Sequence, residues 1–217
     1  MMRRVVITGV GAVTPIGNTV KEMWAGVREG KCGIDKITKY DISNRKVKVA
    51  AEVKNLPVEE LVDKHDLRKM DLFCTFAMIA ADEAIADSGL SFEGEEDKCG
   101  VIVSSGIGGI STIEKEYSKG LEKGFDRVSP YFIPSVITNM AAGRIAIKHN
   151  LQGMCSCVVT ACAGGTNAVG DSFRQIRDGY ADVMVCGGAE AGITEISVGG
   201  FTTSKAVSYT HLRAHET

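Results

Sequence analysis

The chain has 217 residues, of which 44% are hydrophobic and 24% are charged, and its formal net charge at pH 7 is −2. These values are typical of a globular α/β protein with one sizeable core, and the charge does not indicate a surface for nucleic acid or an anionic membrane. No apolar run approaches the roughly 18–20 residues of a membrane-spanning helix. We therefore expect a protein that binds neither nucleic acid nor a membrane.

The amino-terminal stretch MMRRVVITGVGAVTPIG has a short apolar segment after two arginines. It lacks the longer apolar region and the small-residue cleavage site of a signal peptide, so we predict a cytoplasmic protein whose first β-strand spans residues 4–8. Residues 9–18 are predicted to form a loop. A dinucleotide-binding motif is only weakly indicated there, because G-x-G-x-x-G/A would need glycine or alanine where Thr14 stands.

Helical and extended patterns then alternate along the chain. Thr19 and Glu22 form a capping box at the start of the first helix, and Gly30 follows its end. Strands are predicted at residues 4–8, 46–53, 100–105, 155–161 and 183–186, and helices at residues 19–29, 73–89, 111–123, 134–150 and 162–178. Apolar strands that alternate with helices indicate an α/β fold with a mostly parallel sheet, covered by helices on both faces.

Seven cysteines are present, at positions 32, 74, 99, 155, 157, 162 and 186. An odd number without a signal peptide favours free thiols over a disulfide framework. Cys155 and Cys157 lie two apart on a predicted strand and so share a face. A metal site would need about two more soft ligands at suitable spacing. None is found, so no metal is predicted and both are interpreted as buried strand thiols.

Cys162 lies in the stretch CSCVVTACAGGT, between a predicted strand and a predicted helix. The unpaired N–H groups and the positive dipole end at a helix N-terminus favour a thiolate. The carboxyl edge of a parallel sheet is also where α/β proteins place ligands. The pattern alone leaves two interpretations open, a nucleophile and an ordinary buried thiol.

Four stretches of the sequence resemble the elongating β-ketoacyl-[acyl-carrier-protein] synthases of bacterial fatty acid synthesis, most closely those of type II, in the thiolase-like superfamily. The stretches are RRVVITGVGAVTPIGN at 3–18, SSGIGGI at 104–110, SPYFIPSVITNMAAG at 129–143 and VVTACAGGTNAVGDSFRQIRDGYADVMVCGGAEA at 158–191. The last is the most specific, since it carries the T-A-C turn and the A-D-V-M-x-x-G-G-x-E run of the family.

The resemblance implies a thiolase-like fold, of which residues 1–206 would be the first half of a duplicated architecture. It implies that Cys162 accepts an acyl chain as a thioester. Malonyl-[acyl-carrier-protein] then loses CO₂, and Claisen attack on the thioester lengthens the fatty acid by two carbons. It further implies acyl carrier protein as partner, a homodimer in the full-length protein, an oxyanion hole that includes the Cys162 N–H, and no metal or organic cofactor.

Family members are roughly twice as long, and the resemblance implies that their two catalytic histidines and a second oxyanion donor lie in the second half. His65 and His149 match no catalytic motif of the family. Cys162 therefore has no identifiable histidine partner in this chain. Two alternatives stay open: a polyketide-type ketosynthase, and a catalytically incomplete fragment without turnover.

The resemblance also suggests substrate-binding residues. Ile107 lies where the family lines its acyl pocket, and Phe132 and Ile133 match a segment at the dimer interface that reaches the neighbouring subunit's pocket. Ordinary packing explains each of the three equally well.

A basic surface could dock the acidic carrier protein. The residues considered for it are Lys64, Arg68, Lys69 and Arg127, with Arg68 and Lys69 favoured. A simple solvated face is the alternative, because short charged runs usually have no other role.

Residues 207–217 do not fit the rest of the chain. They read VSYTHLRAHET and can be back-translated into a string that resembles a transposase adapter used in sequencing libraries. We therefore predict that this segment is a non-native tail, and the alternative is a genuine polar terminus. The prediction removes His211 and His215 from consideration as catalytic groups.

Overall fold

The computed structural model describes residues 3–206. The predicted non-native tail, residues 207–217, lies outside the described residues. No helix in the described part of the chain has the length and hydropathy needed to cross a bilayer.

The elements alternate as the sequence patterns predict. The helices are α1 (Val20–Arg28), α2 (Val58–Leu61), α3 (Lys64–Leu67), α4 (Leu72–Ser88), α5 (Ile110–Lys123), α6 (Phe132–Val136), α7 (Met140–His149), α8 (Gly164–Arg177) and α9 (Glu195–Thr203). The strands are β1 (Asp35–Lys36), β2 (Val49–Ala50), β3 (Cys99–Ser104), β4 (Cys155–Ser156) and β5 (Val183–Gly188).

The central sheet is parallel and has the order β4-β3-β5. Every residue of β3 is buried. Successive side chains of a strand point to opposite faces. Val101 and Val103 join the core cluster that includes α4 and α7, while Ile102, on the other face, is only 1% exposed. Both faces of β3 are therefore covered, which confirms the predicted parallel sheet between helices.

Helix α4 carries much of the core. The sequence pattern predicts one apolar face, but the helix is buried on more sides than that: Cys74, Met78 and Ile79 are covered as well as Phe73 and Ala77. Helix α7 packs against it with Ala141, Ala142 and Ile145. Small side chains on α7 allow the two helices to approach closely.

Asp71 connects the start of α4 to the start of α5. Its carboxylate caps α4 by accepting a hydrogen bond from the Phe73 N–H at 3.3 Å. The second oxygen accepts from the Ser111 hydroxyl at 2.6 Å and from the Thr112 N–H at 2.8 Å. The side chain is buried, so these donors replace the water that the carboxylate loses.

The prediction of a strand at residues 4–8 is wrong. Residues 3–13 belong to no strand of the described chain. Val6 is 58% exposed and Ile7 is 83% exposed. A cavity of about 520 Å³ separates residues 5–11 from β5, so the ladder hydrogen bonds that would define a strand are not made.

Glycines hold the amino-terminal segment against α4. A Cβ on Gly9 would lie 2.0 Å from the Ala84 carbonyl oxygen, and one on Gly11 would lie 1.8 Å from that of Ala80. Only glycine permits this approach of backbone to backbone. The loop therefore has a packing role.

Two predicted strands are shorter than expected. The strand predicted at 46–53 reduces to β2, which pairs with β1 through two residues. The strand predicted at 155–161 ends at Ser156, because beyond that point the Ser104 hydroxyl, not a backbone group, donates to the Val158 carbonyl at 2.6 Å.

The single helix predicted at 134–150 is two helices, α6 and α7. The Val136 carbonyl accepts a hydrogen bond from the Gly109 N–H at 3.1 Å, and Ile137 is extended. The chain restarts as a helix at Met140. The glycine loop that follows β3 thus lies where the helix is interrupted.

Candidate active site

Cys162 is exposed in the turn that joins β4 to α8. It is the middle residue of a short 3₁₀ helix, Ala161–Ala163, and α8 begins at Gly164. The thiol therefore lies at a helix N-terminus, as the sequence predicts. Unpaired N–H groups and the helix dipole at such a position favour an anion.

The backbone before the thiol is in an uncommon conformation. Ala161 has a φ of 49°, in the left-handed region that residues with a Cβ rarely adopt. Such backbone persists only where the surroundings hold it, and it is concentrated at functional sites.

Tight contacts surround the turn. A Cβ on Gly164 would lie 1.9 Å from Ser104 Oγ, at the end of β3. Gly165 packs similarly against β5, since a Cβ on Gly188 would lie 3.0 Å from the Gly165 Cα. The start of α8 is therefore pressed onto the carboxyl edge of the sheet, and the two glycines of C-A-G-G permit that contact.

Glu190 organises the loop after β3. One carboxylate oxygen accepts hydrogen bonds from the Gly106 N–H at 2.9 Å and the Ile107 N–H at 3.1 Å. The other accepts from the Ser105 hydroxyl at 3.3 Å. A Cβ on Gly106 would lie 3.9 Å from Ala161 Cα, so this loop adjoins the turn of the thiol. The sequence analysis assigned Glu190 no role, although it ends the family's G-G-x-E run.

The loop that carries Ile107 also meets α6, which carries Phe132 and Ile133. The Gly109 N–H donates to the Val136 carbonyl, as described above, and a Cβ on Gly108 would lie 2.6 Å from the same oxygen. Ile107 is 38% exposed and Ile133 is 59% exposed, whereas Phe132 is half-buried. The structure thus brings together the two segments that carry the predicted substrate-binding residues.

The segment before α6 is held by a carboxylate. Glu116 accepts a hydrogen bond from the Ser129 N–H at 2.8 Å and pairs with Lys119 at 3.1 Å. The backbone hydrogen bond from Ser129, followed by the Lys119 contact, holds the pKa of this carboxyl below its usual range. The segment at residues 129–134, which includes Phe132 and Ile133, is therefore anchored to α5 at its first residue.

The four predicted docking residues occupy two neighbouring segments. The Lys69 ammonium lies 5.7 Å from the centre of the Tyr131 ring, which brings the end of α3 against the segment that follows Arg127. Arg68 and Arg127 are exposed. Lys64 pairs with Glu59 at 3.5 Å.

Burial makes four of the other thiols less suited to reaction. Burial raises the pKa of Cys74 to about 12, and it also raises the pKa of Cys99, Cys155 and Cys186. Cys155 and Cys186 show this shift although both residues expose surface. The interpretation of Cys155 and Cys157 as buried strand thiols is wrong, because Cys155 is exposed and Cys157 is half-buried and lies beyond the end of β4. Only the thiolate is nucleophilic, so burial disfavours reaction at these four positions.

Neither described histidine forms a hydrogen bond with Cys162. His149 Nε2 lies 2.8 Å from an Asp82 carboxylate oxygen, and His65 Nδ1 lies 3.0 Å from the Lys69 ammonium. Within residues 3–206 no group of three or more histidine, cysteine, aspartate or glutamate side chains could hold a metal ion.

The family model of the β-ketoacyl synthase N-terminal domain matches residues 2–216 of the chain. The chain belongs to this family. The matched residues include the Cys162 turn, between the parallel sheet and α8. The match includes most of residues 207–217.

Relatives support the same family. The chain is 44% identical over 208 residues to a Synechocystis protein named 3-oxoacyl-[acyl-carrier-protein] synthase 2, covering 95% of this chain and 50% of that protein. It thus spans about half the length of the curated relatives it matches.

Solved structures show the same thiolase-like fold. The ishigamide ketosynthase/chain length factor has a TM-score of 0.86 and 27% identity, over 96% of this chain and 52% of that chain. A ketosynthase bound to a hexaketide, in complex with its type II polyketide acyl-carrier protein, has a TM-score of 0.80 and 28% identity, over 96% of this chain and 50% of that chain.

Proposed function

We propose that this chain is the nucleophile-bearing half of a condensing enzyme that elongates fatty acids by two carbons. The observation that carries the proposal is the exposed Cys162 thiol, which follows a left-handed Ala161 and precedes α8 at the carboxyl edge of the sheet. Membership of the β-ketoacyl synthase family supports the same reaction class.

The chemistry has two steps. First, the Cys162 thiolate attacks the carbonyl carbon of an acyl thioester on a carrier protein, and the carrier leaves as a thiolate that takes up a proton from water. Second, a malonyl thioester loses CO₂, and the electron pair left on its α-carbon attacks the Cys162 thioester. Collapse of the tetrahedral intermediate releases a 3-ketoacyl thioester and returns the thiolate.

The developing oxyanion needs hydrogen-bond donors. The Cys162 N–H has no hydrogen-bond partner among the described residues, so it is available as one of them. The second donor and the catalytic histidines are expected in the half that the chain does not cover. We therefore propose acyl transfer to Cys162 in this chain, but no useful condensation rate. One lost oxyanion donor typically costs on the order of 10²–10³ in rate.

The test is incubation of the purified chain with an acyl-[acyl-carrier-protein], followed by intact-mass and peptide mass spectrometry. The acyl group should appear on Cys162 and be absent from Cys162→Ala. Cys157→Ala is the matched control, since it removes the thiol five positions earlier and should retain acylation. Acylation that persists in Cys162→Ala would overturn the assignment.

The second half of the test adds malonyl-[acyl-carrier-protein] to the acylated chain. No 3-ketoacyl product should accumulate at a rate near that of a complete synthase. Product at such a rate would show that the catalytic groups lie within this chain.

A polyketide-type ketosynthase is the second candidate, because one of the solved structures above is the ketosynthase of a type II polyketide carrier protein. The 44% identity to the 3-oxoacyl-[acyl-carrier-protein] synthase 2, against 28% to the polyketide ketosynthase, favours fatty acid elongation. Acylation of Cys162 from a fatty acid carrier protein in preference to a polyketide carrier protein is the expected result.

Carrier docking is proposed for Lys64, Arg68, Lys69 and Arg127, which lie on the two neighbouring segments. Arg68 is the strongest member, because it is exposed and has no ion pair among the described residues. Arg68→Glu should slow acylation by carrier-bound donors but not by a small soluble thioester. Arg28→Glu, at the exposed end of α1, is the charge-matched control.

Three further predictions depend on the whole protein. A homodimer is expected through residues 129–134 and the strand near 155–159, and light scattering of the full-length protein tests it. A cytoplasmic location also stays a prediction.

The non-native origin of residues 207–217 is tested by sequencing the gene with a method that uses no adapter. Contiguous genomic codons for that segment would refute it.

A further inference from the structure

We propose that Glu190 is a positioning residue for Cys162: its carboxylate holds the loop after β3 against the turn that carries the thiol. The proposal rests on the proposed function, since it assigns a role relative to that nucleophile. Glu190 itself touches no reacting atom. It acts through Gly106 and Ala161.

The hydrogen-bond geometry supplies the first argument. A single carboxylate oxygen accepts from two consecutive N–H groups, those of Gly106 and Ile107, at 2.9 and 3.1 Å. Bonds from backbone N–H groups to an ionised carboxylate are among the stronger hydrogen bonds in proteins. They fix the direction of two adjacent peptide groups, so the loop has little freedom there.

Ser105 extends this network. Its hydroxyl, which lies against the other Glu190 oxygen, also accepts from the Gly108 N–H at 3.0 Å. Ser105 is buried. One glutamate side chain therefore organises the loop from residue 105 to residue 108.

The second argument is the contact between this loop and the thiol turn. A Cβ on Gly106 would lie 3.1 Å from a Glu190 carboxylate oxygen and 3.9 Å from Ala161 Cα. Gly106 thus lies between the carboxylate and the residue that precedes Cys162. Because Ala161 is in the left-handed region, its conformation depends on neighbours that hold it there.

Loss of the carboxylate should therefore loosen the loop and let Ala161 relax. The thiol would then leave its place at the start of α8. The favourable field at a helix terminus falls off within the first turn, so even a small displacement lowers the rate of alkylation at Cys162.

A second glutamate offers a matched control. Glu83, on α4, accepts from the Ala12 N–H and the Val20 N–H, both at 2.9 Å. It holds a different glycine-containing loop by the same chemistry. Glu83→Ala removes equivalent hydrogen bonds without touching the loop beside Cys162.

The experiment measures the second-order rate constant for iodoacetamide alkylation of Cys162 as a function of pH. Cys155, Cys157 and Cys162 fall in one tryptic peptide, residues 149–174, so the comparison is made in a Cys155→Ser/Cys157→Ser background. The variants are Glu190→Ala, Glu190→Gln and Glu83→Ala. Labelling of the buried Cys74 in the same samples reports global unfolding.

Glu190→Ala should slow Cys162 alkylation by about two- to fivefold near neutral pH. Glu190→Gln should restore the rate to within about twofold, because the amide oxygen can accept from both N–H groups and the amide nitrogen can donate to Ser105. Glu83→Ala should leave the Cys162 rate unchanged.

The proposal is overturned if Glu190→Ala alkylates like the parent protein, or if Glu190→Ala and Glu83→Ala slow Cys162 equally. If Glu190→Ala exposes Cys74 and so fails to fold, the Gly106→Ala variant is measured instead. Its added Cβ lies close to the Glu190 carboxylate and should also slow alkylation of Cys162. An unchanged rate in Gly106→Ala refutes the proposal. Alkylation needs no acyl donor, so failure here leaves the acyl-transfer test intact.

Discussion

Residues 4–8 and strand β3 have similar apolar patterns, RVVIT and CGVIVS, yet only β3 forms a strand in the structure. Strand β3 is hydrogen-bonded on both sides and every one of its residues is buried. Residues 4–8 have no strand partner among the described residues and include the 83%-exposed Ile7. An apolar pattern thus identifies a segment suited to a sheet, whereas pairing decides whether it becomes a strand.

The two segments are consequently held in place by different interactions. Strand β3 is fixed by its ladder with β4 and β5 and by side chains buried on both faces. The amino-terminal segment is fixed by the approach of Gly9 and Gly11 to α4 and by hydrogen bonds from its N–H groups to Asp87 and Glu83. Substitutions that weaken the interactions of one segment, compared with matched substitutions in the other, test this difference.

The largest expected contrast comes from a charge placed in each segment. Val101→Asp buries a carboxylate at a site that is 0% exposed, and it should cost at least about 4 kcal/mol or prevent folding. Val6→Asp adds the same charge at a position that is 58% exposed and should change stability by less than about 0.5 kcal/mol. Urea denaturation followed by circular dichroism measures both. Equal destabilisation would show that residues 4–8 are buried in solution.

The comparison also shows how far the sequence predicts this molecule. The order of elements, the parallel sheet and the place of Cys162 before α8 follow from local patterns and the family motif. The unpaired amino-terminal segment could not be predicted, because pairing depends on the position of other strands. Glu190 was missed for a related reason: its role depends on a contact with Gly106, far from it in sequence.

A single methyl group gives the next contrast. Gly11→Ala would place a Cβ 1.8 Å from the Ala80 carbonyl oxygen, so the segment must move away from α4 at a cost of about 1–3 kcal/mol. Gly187→Ala, in β5 on the other side of the cavity, meets no atom within 4 Å and should be nearly neutral. Urea midpoints for the two variants are compared. A neutral Gly11→Ala would mean that the segment is not held by this contact.

Thiol labelling sharpens the comparison without any substitution. Cys99 begins β3 and is 2% exposed, while Cys186 lies in β5 and lines the cavity beneath residues 5–11. Burial raises the pKa of both thiols, so both should react more slowly than the exposed Cys162.

We expect iodoacetamide to modify Cys162 first, Cys186 next and Cys99 last, with at least about tenfold between Cys162 and Cys99. Limited labelling followed by peptide mapping measures the order. Early modification of Cys99 would indicate that β3 opens in solution.

The smallest contrast comes from removing one methylene group from each segment. Ile102→Val in β3 removes it from a site that is 1% exposed, and the lost transfer free energy together with the small cavity should cost about 0.5–1.5 kcal/mol. Ile7→Val removes the same group from a side chain that is 83% exposed, where water already covers most of it. The free energy of unfolding should then change by no more than a few tenths of a kcal/mol. Because valine and isoleucine are both β-branched, backbone preference is the same in the two variants, and the difference between their urea midpoints reports burial alone. An equal loss of unfolding free energy in Ile7→Val and Ile102→Val would mean that another apolar surface covers residues 4–8 in solution.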